Sequence, residues 1–222
     1  MRKQLILLLT LTLPVFPALS QESDDVIADT AFLSITVLEH QMLEGENRRV
    51  PEPLGYEAEC IAVFPSVVKA GFIIAAEQGN GLVSCRNDDG HWGSPAIFSL
   101  SAGSLGIQAG IQSASYILLF LDPSAVDVLV EGEVRFGAEV SLAAGPVGAA
   151  VDTAGQPSVA SYVRTAGLFA GVDLEGVALT FSKDANAHVY GRPYEVYELL
   201  FESKEIPSML QPFHEVLTEF AP

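Results

Sequence analysis

The 222 residues carry 28 acidic side chains against 11 basic ones, a formal charge of −17, and such a surface repels nucleic acid and anionic lipid headgroups alike. The length suits one domain with a substantial core. Two cysteines and four singly scattered histidines offer none of the close ligand pairs that zinc requires, so neither a metal nor a cofactor is expected.

Residues 1–20 read as a signal peptide. Arg2 and Lys3 precede an apolar run from Leu5 to Leu13, and Ala18-Leu19-Ser20 has the small-x-small pattern of a signal-peptidase site. The mature chain is then expected to start at Gln21, with nine basic residues against 28 acidic ones and a charge of −19. An uncleaved anchor is the alternative, although the apolar run is shorter than the ~20 residues of a membrane span. Export by this route places the protein in the periplasm or outside the cell.

Residues 21–57 should hold an N-terminal amphipathic helix and a linker. Ser23 is placed to cap a helix over 23–44, with Asp24 and Asp25 at the positive end of its dipole. Ile27, Ala31, Ile35, Leu38 and Met42 recur at steps of three or four and make one apolar face. Pro51 and Pro53 are read as a linker that supports neither helix nor ladder.

Residues 58–222 read as a β-rich unit followed by C-terminal helices. Its strands are punctuated by Gly79-Asn80-Gly81, by Asn87-Asp88-Asp89-Gly90 and by Gly145-Pro146. Residues 116–121 look like a central buried strand, and Asp122 followed by Pro123 opens a short helix over 123–130 that Gly132 ends. Helical periodicity returns after Arg192, with Pro193 opening 194–202 and Ser208 capping 209–220. A single α+β domain accounts for this order.

The stretch 161–191, SYVRTAGLFAGVDLEGVALTFSKDANAHVYG, puts Gly167, Gly171 and Gly176 among strand residues, where missing side chains imply a sharply bent sheet or a close backbone approach. A β-carbon at Gly171 or Gly176 is expected to clash there. This stretch resembles the signature of the SYLF lipid-binding domain family, carried by Ser161-Tyr162, by Gly167 to Gly176, and by Asn186 with Tyr190-Gly191. CIAVFPSVVKAGF from Cys60, GNGLVSCR from Gly79, Trp92 with Pro95, GSLGIQAGIQ from Gly103 and AAGPVG from Ala143 follow in the family's order, so the resemblance covers roughly residues 50–191. It implies a strongly bent, barrel-like antiparallel sheet flanked by terminal helices. It also implies lipid binding, with phosphoinositides as ligands of eukaryotic members and actin as a partner of yeast ones.

Chemistry is sparse. Gly103-Ser104-Leu105-Gly106 lacks the spacing and the strand-to-helix context of a nucleophile elbow, and is read as part of a curled strand. Asp173 and Glu175 share a strand face where two carboxylates can divide acid and base roles, but a solvated face is the simpler reading. Asp88 and Asp89 fall far short of the oxygens that calcium takes. Cys60 and Cys85 are expected to form a disulfide in an oxidising compartment, two buried thiols being the alternative.

A non-enzymatic lipid-binding or membrane-associating module of the bacterial envelope is therefore expected. A scaffolding protein with a protein partner is the alternative, and a hydrolase the remote third. The candidate lipid contacts are Ile27, Ala31, Ile35, Leu38, Met42 and Trp92. No Lys or Arg lies between Gln21 and Asn47, so any membrane contact should be apolar rather than electrostatic. Small residues at Gly103, Gly106, Ala109 and Gly110 leave room for an acyl chain. Actin is not expected as a partner of an exported chain.

Overall fold

Proline 65 shapes the sheet. It stands inside β1 (Cys60–Gly71), which pairs on one side with β2 (Ile74–Cys85) and on the other with β4 (Gly110–Phe120). An interior strand cannot keep its ladder through a residue without an N–H. The register therefore shifts on both sides: between Val63 and Val68 against β2, and between Phe64 and Val67 against β4. Such a bulge bends a strand and increases its twist. Ser115 donates its hydroxyl to the Pro65 carbonyl at 2.7 Å, which fixes the bend from β4.

The computed structural model describes residues 18–45, 49–71, 74–105, 110–137, 140, 142–144, 158–165, 168–170, 176–202 and 204–222. Helix α1 (Ala18–Leu43) and the short α2 (Glu52–Glu57) precede the sheet, β3 (Ala96–Leu105) lies between β2 and β4 in sequence, and α3 (Pro123–Val130) follows β4. Then come β5 (Glu133–Arg135), β6 (Leu142–Ala144), β7 (Val159–Thr165), β8 (Leu168–Ala170) and β9 (Val177–Phe181). Helices α4 (Lys183–Val189), α5 (Val196–Phe201) and α6 (Gln211–Phe220) complete the order. The strands run β5-β9-β3-β2-β1-β4-β7-β6, with β8 on β7. All pairs are antiparallel except β6 with β7, and the sheet curls into a half-barrel in one α+β domain.

Alternation splits the core into two layers. Ala62 and Phe64 of β1, with Leu118 and Phe120 of β4, pack on one face against α3, β5 and α5. Ile61, Val63, Ile117 and Leu119 pack on the other, under α1 and α6. Because both faces are covered, these strands read in the sequence as continuous apolar runs.

Several local expectations are corrected. Helix α1 begins before Ser23, so that residue is not its cap. Pro51 and Pro53 do not form a linker: they occupy the N-cap and first turn of α2, where a missing N–H costs nothing. Gly79-Asn80-Gly81 is no turn and lies within β2. A β-carbon on Gly79 would sit 2.9 Å from the Val67 Cα, and one on Gly81 would strike the Val63 carbonyl and the Phe64 ring. These glycines make room for the bulged strand beside them. Gly176 has open space around its missing β-carbon, and its glycine is required by a φ of +82° rather than by a clash. Gly167 and Gly171 lie outside the described residues, as do Gly145-Pro146 and the pair Asp173 and Glu175.

The helix over 123–130 forms as expected, with Asp122 accepting the Ser124 N–H at 2.8 Å and Gly132 at φ +89°. Helix α4 was not foreseen. The segment expected over 194–202 begins at Val196, capped reciprocally by Glu195 and Glu198. The last helix starts at Gln211, with no side-chain cap from Ser208.

Candidate functional site

The recognisable motif residues are occupied in holding backbone. Asn186 of α4 is buried and acts as an extra strand against β3: its Oδ1 accepts the Ile97 N–H and its Nδ2 donates to the Ile97 carbonyl, both at 2.8 Å. Nδ2 also donates to the Ser182 carbonyl at 2.9 Å. One turn on, the Tyr190 hydroxyl donates to the Pro95 carbonyl at 2.6 Å. Ser161 and Tyr162 are buried in β7.

Trp92 is buried, and its indole N–H donates to the Ala221 carbonyl at 2.7 Å. The Arg86 guanidinium lies over that ring, 4.2 Å from its centroid. It donates to the carbonyls of Ala58, Gly90, Gly55, Ala221 and Pro222 at 2.9–3.3 Å. Burial lowers the Arg86 pKa, with Glu59 opposing. One cation thus ties α2, the 87–90 turn and the end of α6 together. Its sequence signal was its place at the end of GNGLVSCR, directly after Cys85.

Helix α1 turns most of the foreseen lipid face inward. Ile27, Ala31 and Leu38 are buried in the second layer, Ile35 packs part-exposed against it, and Met42 is part-exposed. The helix is held at both ends. The His188 imidazole donates to the Asp24 carboxylate at 2.8 Å, and Arg164 of β7 donates to His40 Nδ1 at 2.6 Å. Its outward side carries a different apolar set, with Val26 50%, Phe32 66%, Leu33 43% and Leu43 83% exposed. Val26 and Leu33 are two turns apart, and Phe32 and Leu43 three, so each pair shares an azimuth. Asp25, Asp29 and Glu39 are exposed on the same side.

Among the described residues no group of His, Cys, Asp or Glu is arranged to hold a metal ion. Asp88 and Asp89 lie in an exposed turn around Asn87, whose Oδ1 accepts the N–H groups of Asp89 and His91. Ser104 pairs with Ala75 within β3 and β2, so it does not sit on a strand-to-helix elbow. Gly103 is exposed beside it, while Gly106 and Ala109 lie outside the described residues. Cys60 and Cys85 are register partners and are bonded to each other. Arg86 N–H donates to the Glu59 carbonyl, which makes the cysteines a non-hydrogen-bonded pair, the kind in which the chains come closest.

The side chains of Lys69, Glu77 and Tyr116 form a chain on the sheet, with 2.8 Å from Lys69 to Glu77 and 3.3 Å from the Tyr116 hydroxyl to Glu77. Burial, then the Glu77 charge, pushes Tyr116 up to about 12. Tyr190 is raised as well, by burial first and Tyr194 second. An unfolded tyrosine ionises near pH ~10. The stability from Tyr116 is therefore complete below about pH 10 and is lost as pH rises through about 12, a loss of roughly 2 kcal/mol. Urea midpoints measured from about pH 9 to 12 should fall, and Tyr116→Phe should flatten part of that fall. An identical slope in the variant would show that Tyr116 is not its source.

Together these features define a single-domain α+β module with a tightly curled sheet, its signature side chains spent on structure, and exposed apolar side chains set among acids along its N-terminal helix. The chain belongs to the family described as Ysc84, Las17-binding protein actin regulator, which it matches over residues 101–220. It is 29% identical over 181 residues to SH3 domain-containing YSC84-like protein 1 of Homo sapiens, covering 79% of this chain and 53% of that protein. It is 33% identical over 162 residues to an SH3 domain-containing protein of Schizosaccharomyces pombe, covering 70% and 38%. Against protein YSC84 of Saccharomyces cerevisiae it is 28% identical over 180 residues, covering 78% and 38%. The chain thus spans about half the length of the animal relatives it matches, and less of the yeast ones.

Proposed function

We propose that this chain is a non-enzymatic, lipid- or membrane-associating module of the bacterial cell envelope, exported with residues 1–20 as its signal. The observation that carries this reading is the outward apolar ridge of α1, above all Phe32 and Leu43. Part-exposed Ile35 and Met42 extend it, while Ile27, Ala31, Leu38 and Trp92 hold the helix and its surroundings in place. No described helix is long and apolar enough to cross a membrane. The ridge carries acids and no Lys or Arg, which separates it from the basic interfacial helices that seek anionic headgroups. The Las17 and actin in the family description are not carried over, because an exported chain does not meet actin.

Vesicle flotation tests this. Wild-type protein should float with neutral vesicles, and added salt should leave binding unchanged or slightly stronger, since screening relieves repulsion. Burying a Phe or Leu side chain contributes about 1.5–3 kcal/mol, so Phe32→Asp with Leu43→Asp should lower the affinity for vesicles by at least about a hundredfold. Both positions are exposed, and the double variant should melt as wild type does. Binding that requires anionic lipid and vanishes at high salt would overturn the apolar contact. Absence of wild-type binding would transfer the ridge to a protein partner.

A further inference from the structure

We propose that the groove between the end of α1, residues 49–55 and the end of α6 seats a zwitterionic phospholipid of a bilayer, with its phosphate at Arg49, its ammonium at Glu52 and Glu219, and an acyl segment on Met42, Val50 and Phe220. This rests on the lipid-associating reading above and names the lipid class. The groove is open on one side and has a volume of about 300 Å³, the lower end of the ~300–1,000 Å³ range of ligand pockets.

Its walls are set before any ligand arrives. The Arg86 guanidinium donates to the carbonyls of Gly55, Ala221 and Pro222 at 3.3, 3.0 and 3.1 Å, and Trp92 holds Ala221 from below through its N–H. Gly55 and Pro222 line the groove. A site already ordered loses less conformational entropy on binding. Trp92 thus supports the end of α6 that borders the groove.

Charge selects the headgroup. Arg49, Glu52 and Glu219 are all exposed at the groove, and none of the ion pairs among the described residues uses Arg49 or Glu219. Among the described lining residues a purely anionic headgroup would meet one favourable charge and two opposing ones, against a chain of charge −17. A purely cationic one would leave Arg49 opposed. A headgroup with both signs matches the set. The position fits too, since Met42 in the groove adjoins Leu43, the most exposed apolar side chain of the α1 ridge.

The test uses the full chain in two assays: flotation with phosphatidylcholine or phosphatidylglycerol vesicles, and calorimetric titration with dihexanoylphosphatidylcholine kept monomeric. Wild type should prefer phosphatidylcholine vesicles by about tenfold, the factor of one ~1.4 kcal/mol interaction. Arg49→Gln and Glu219→Gln should each weaken binding of the soluble lipid by about three- to tenfold. The Phe32→Asp, Leu43→Asp double variant should lose vesicles yet keep the soluble lipid, which distinguishes a groove from adhesion to a surface. If both charge variants titrate like wild type, or phosphatidylglycerol is preferred, the groove assignment is overturned while lipid association stands. If wild type floats with no vesicle, both readings fall.

Discussion

Gly93→Ala is expected to cost about 3 kcal/mol, at the upper end of overpacking changes, and to lower the melting temperature by about 6–12 °C for a chain of this size. The new β-carbon would strike the carbonyl of Leu200, with the Leu200 carbonyl carbon 3.0 Å away and the Cys85 carbonyl oxygen 3.2 Å away. All of these are backbone atoms and cannot swing aside as a rotamer can. Gly93 is held from both sides, donating its N–H to the Cys85 carbonyl at 2.7 Å and accepting the Ser84 hydroxyl at 2.8 Å. Relief must come from α5 moving off the sheet, which opens the packing of Leu199 and Leu200 in the first layer. Gly103→Ala is the control. Nothing lies within 4 Å of its β-carbon and its φ is not positive, so its effect should stay within about 0.5 kcal/mol. Equal melting temperatures for the two variants would refute the close approach at Gly93.

Removing the Cys60–Cys85 bond should have a comparable effect. The bridge closes a sequence separation of 25 residues, and the chain-entropy relation assigns such a loop about 3 kcal/mol. Both cysteines are fully buried in the first layer, so the double change to alanine leaves no unpaired polar group, only a small cavity. The expected loss is again about 6–12 °C in melting temperature. The bond also fixes the start of the β1–β2 ladder next to Arg86, and its loss should loosen the end of α6 first. Alkylation of the protein without reduction should label neither cysteine, while the reduced, denatured control should label both. Two labels on the unreduced, denatured protein would sink the idea.

Much of the fold is legible in the sequence because its signals are local. The 3.6-residue period of Ile27, Ala31, Leu38 and their neighbours marks α1 whatever it packs against. Asp122-Pro123 marks α3, since a cap and a pre-set φ act within one turn. Asn87 with Gly90 marks a turn for the same reason. The misreadings share one origin. Gly79-Asn80-Gly81 has turn composition, yet a bulge at Pro65, fourteen residues earlier, needs bare backbone beside it and keeps these residues in a strand. Pro51 and Pro53 break helices only from inside them, and here they stand at the first turn of one. Helix α4 went unseen because it is short and is anchored by Asn186 to a strand 89 residues away.

The candidate site was less legible. The sequence shows an amphipathic α1 but cannot say which side meets the core when both sides carry apolar residues. Ile27, Ala31 and Leu38 were the natural choice for a contact surface, and they are buried. Phe32 and Leu43 lie among acids on the other side, and only the packing of α1 on α6 and β1 leaves them outward. The groove beside them is built from residues 42–55 and 219–222, joined through Arg86.

By itself the sequence determined the family, the α+β class, the helical period of α1 and the excess of negative charge, since each depends on residue type and spacing along the chain. Tertiary structure alone decided which glycines carry strain, which side of α1 faces out, and that Arg86 and Trp92 join three distant segments. Those facts depend on distances between residues far apart in the chain, which close only when the sheet curls around the bulge at Pro65 and the helices settle on its two faces.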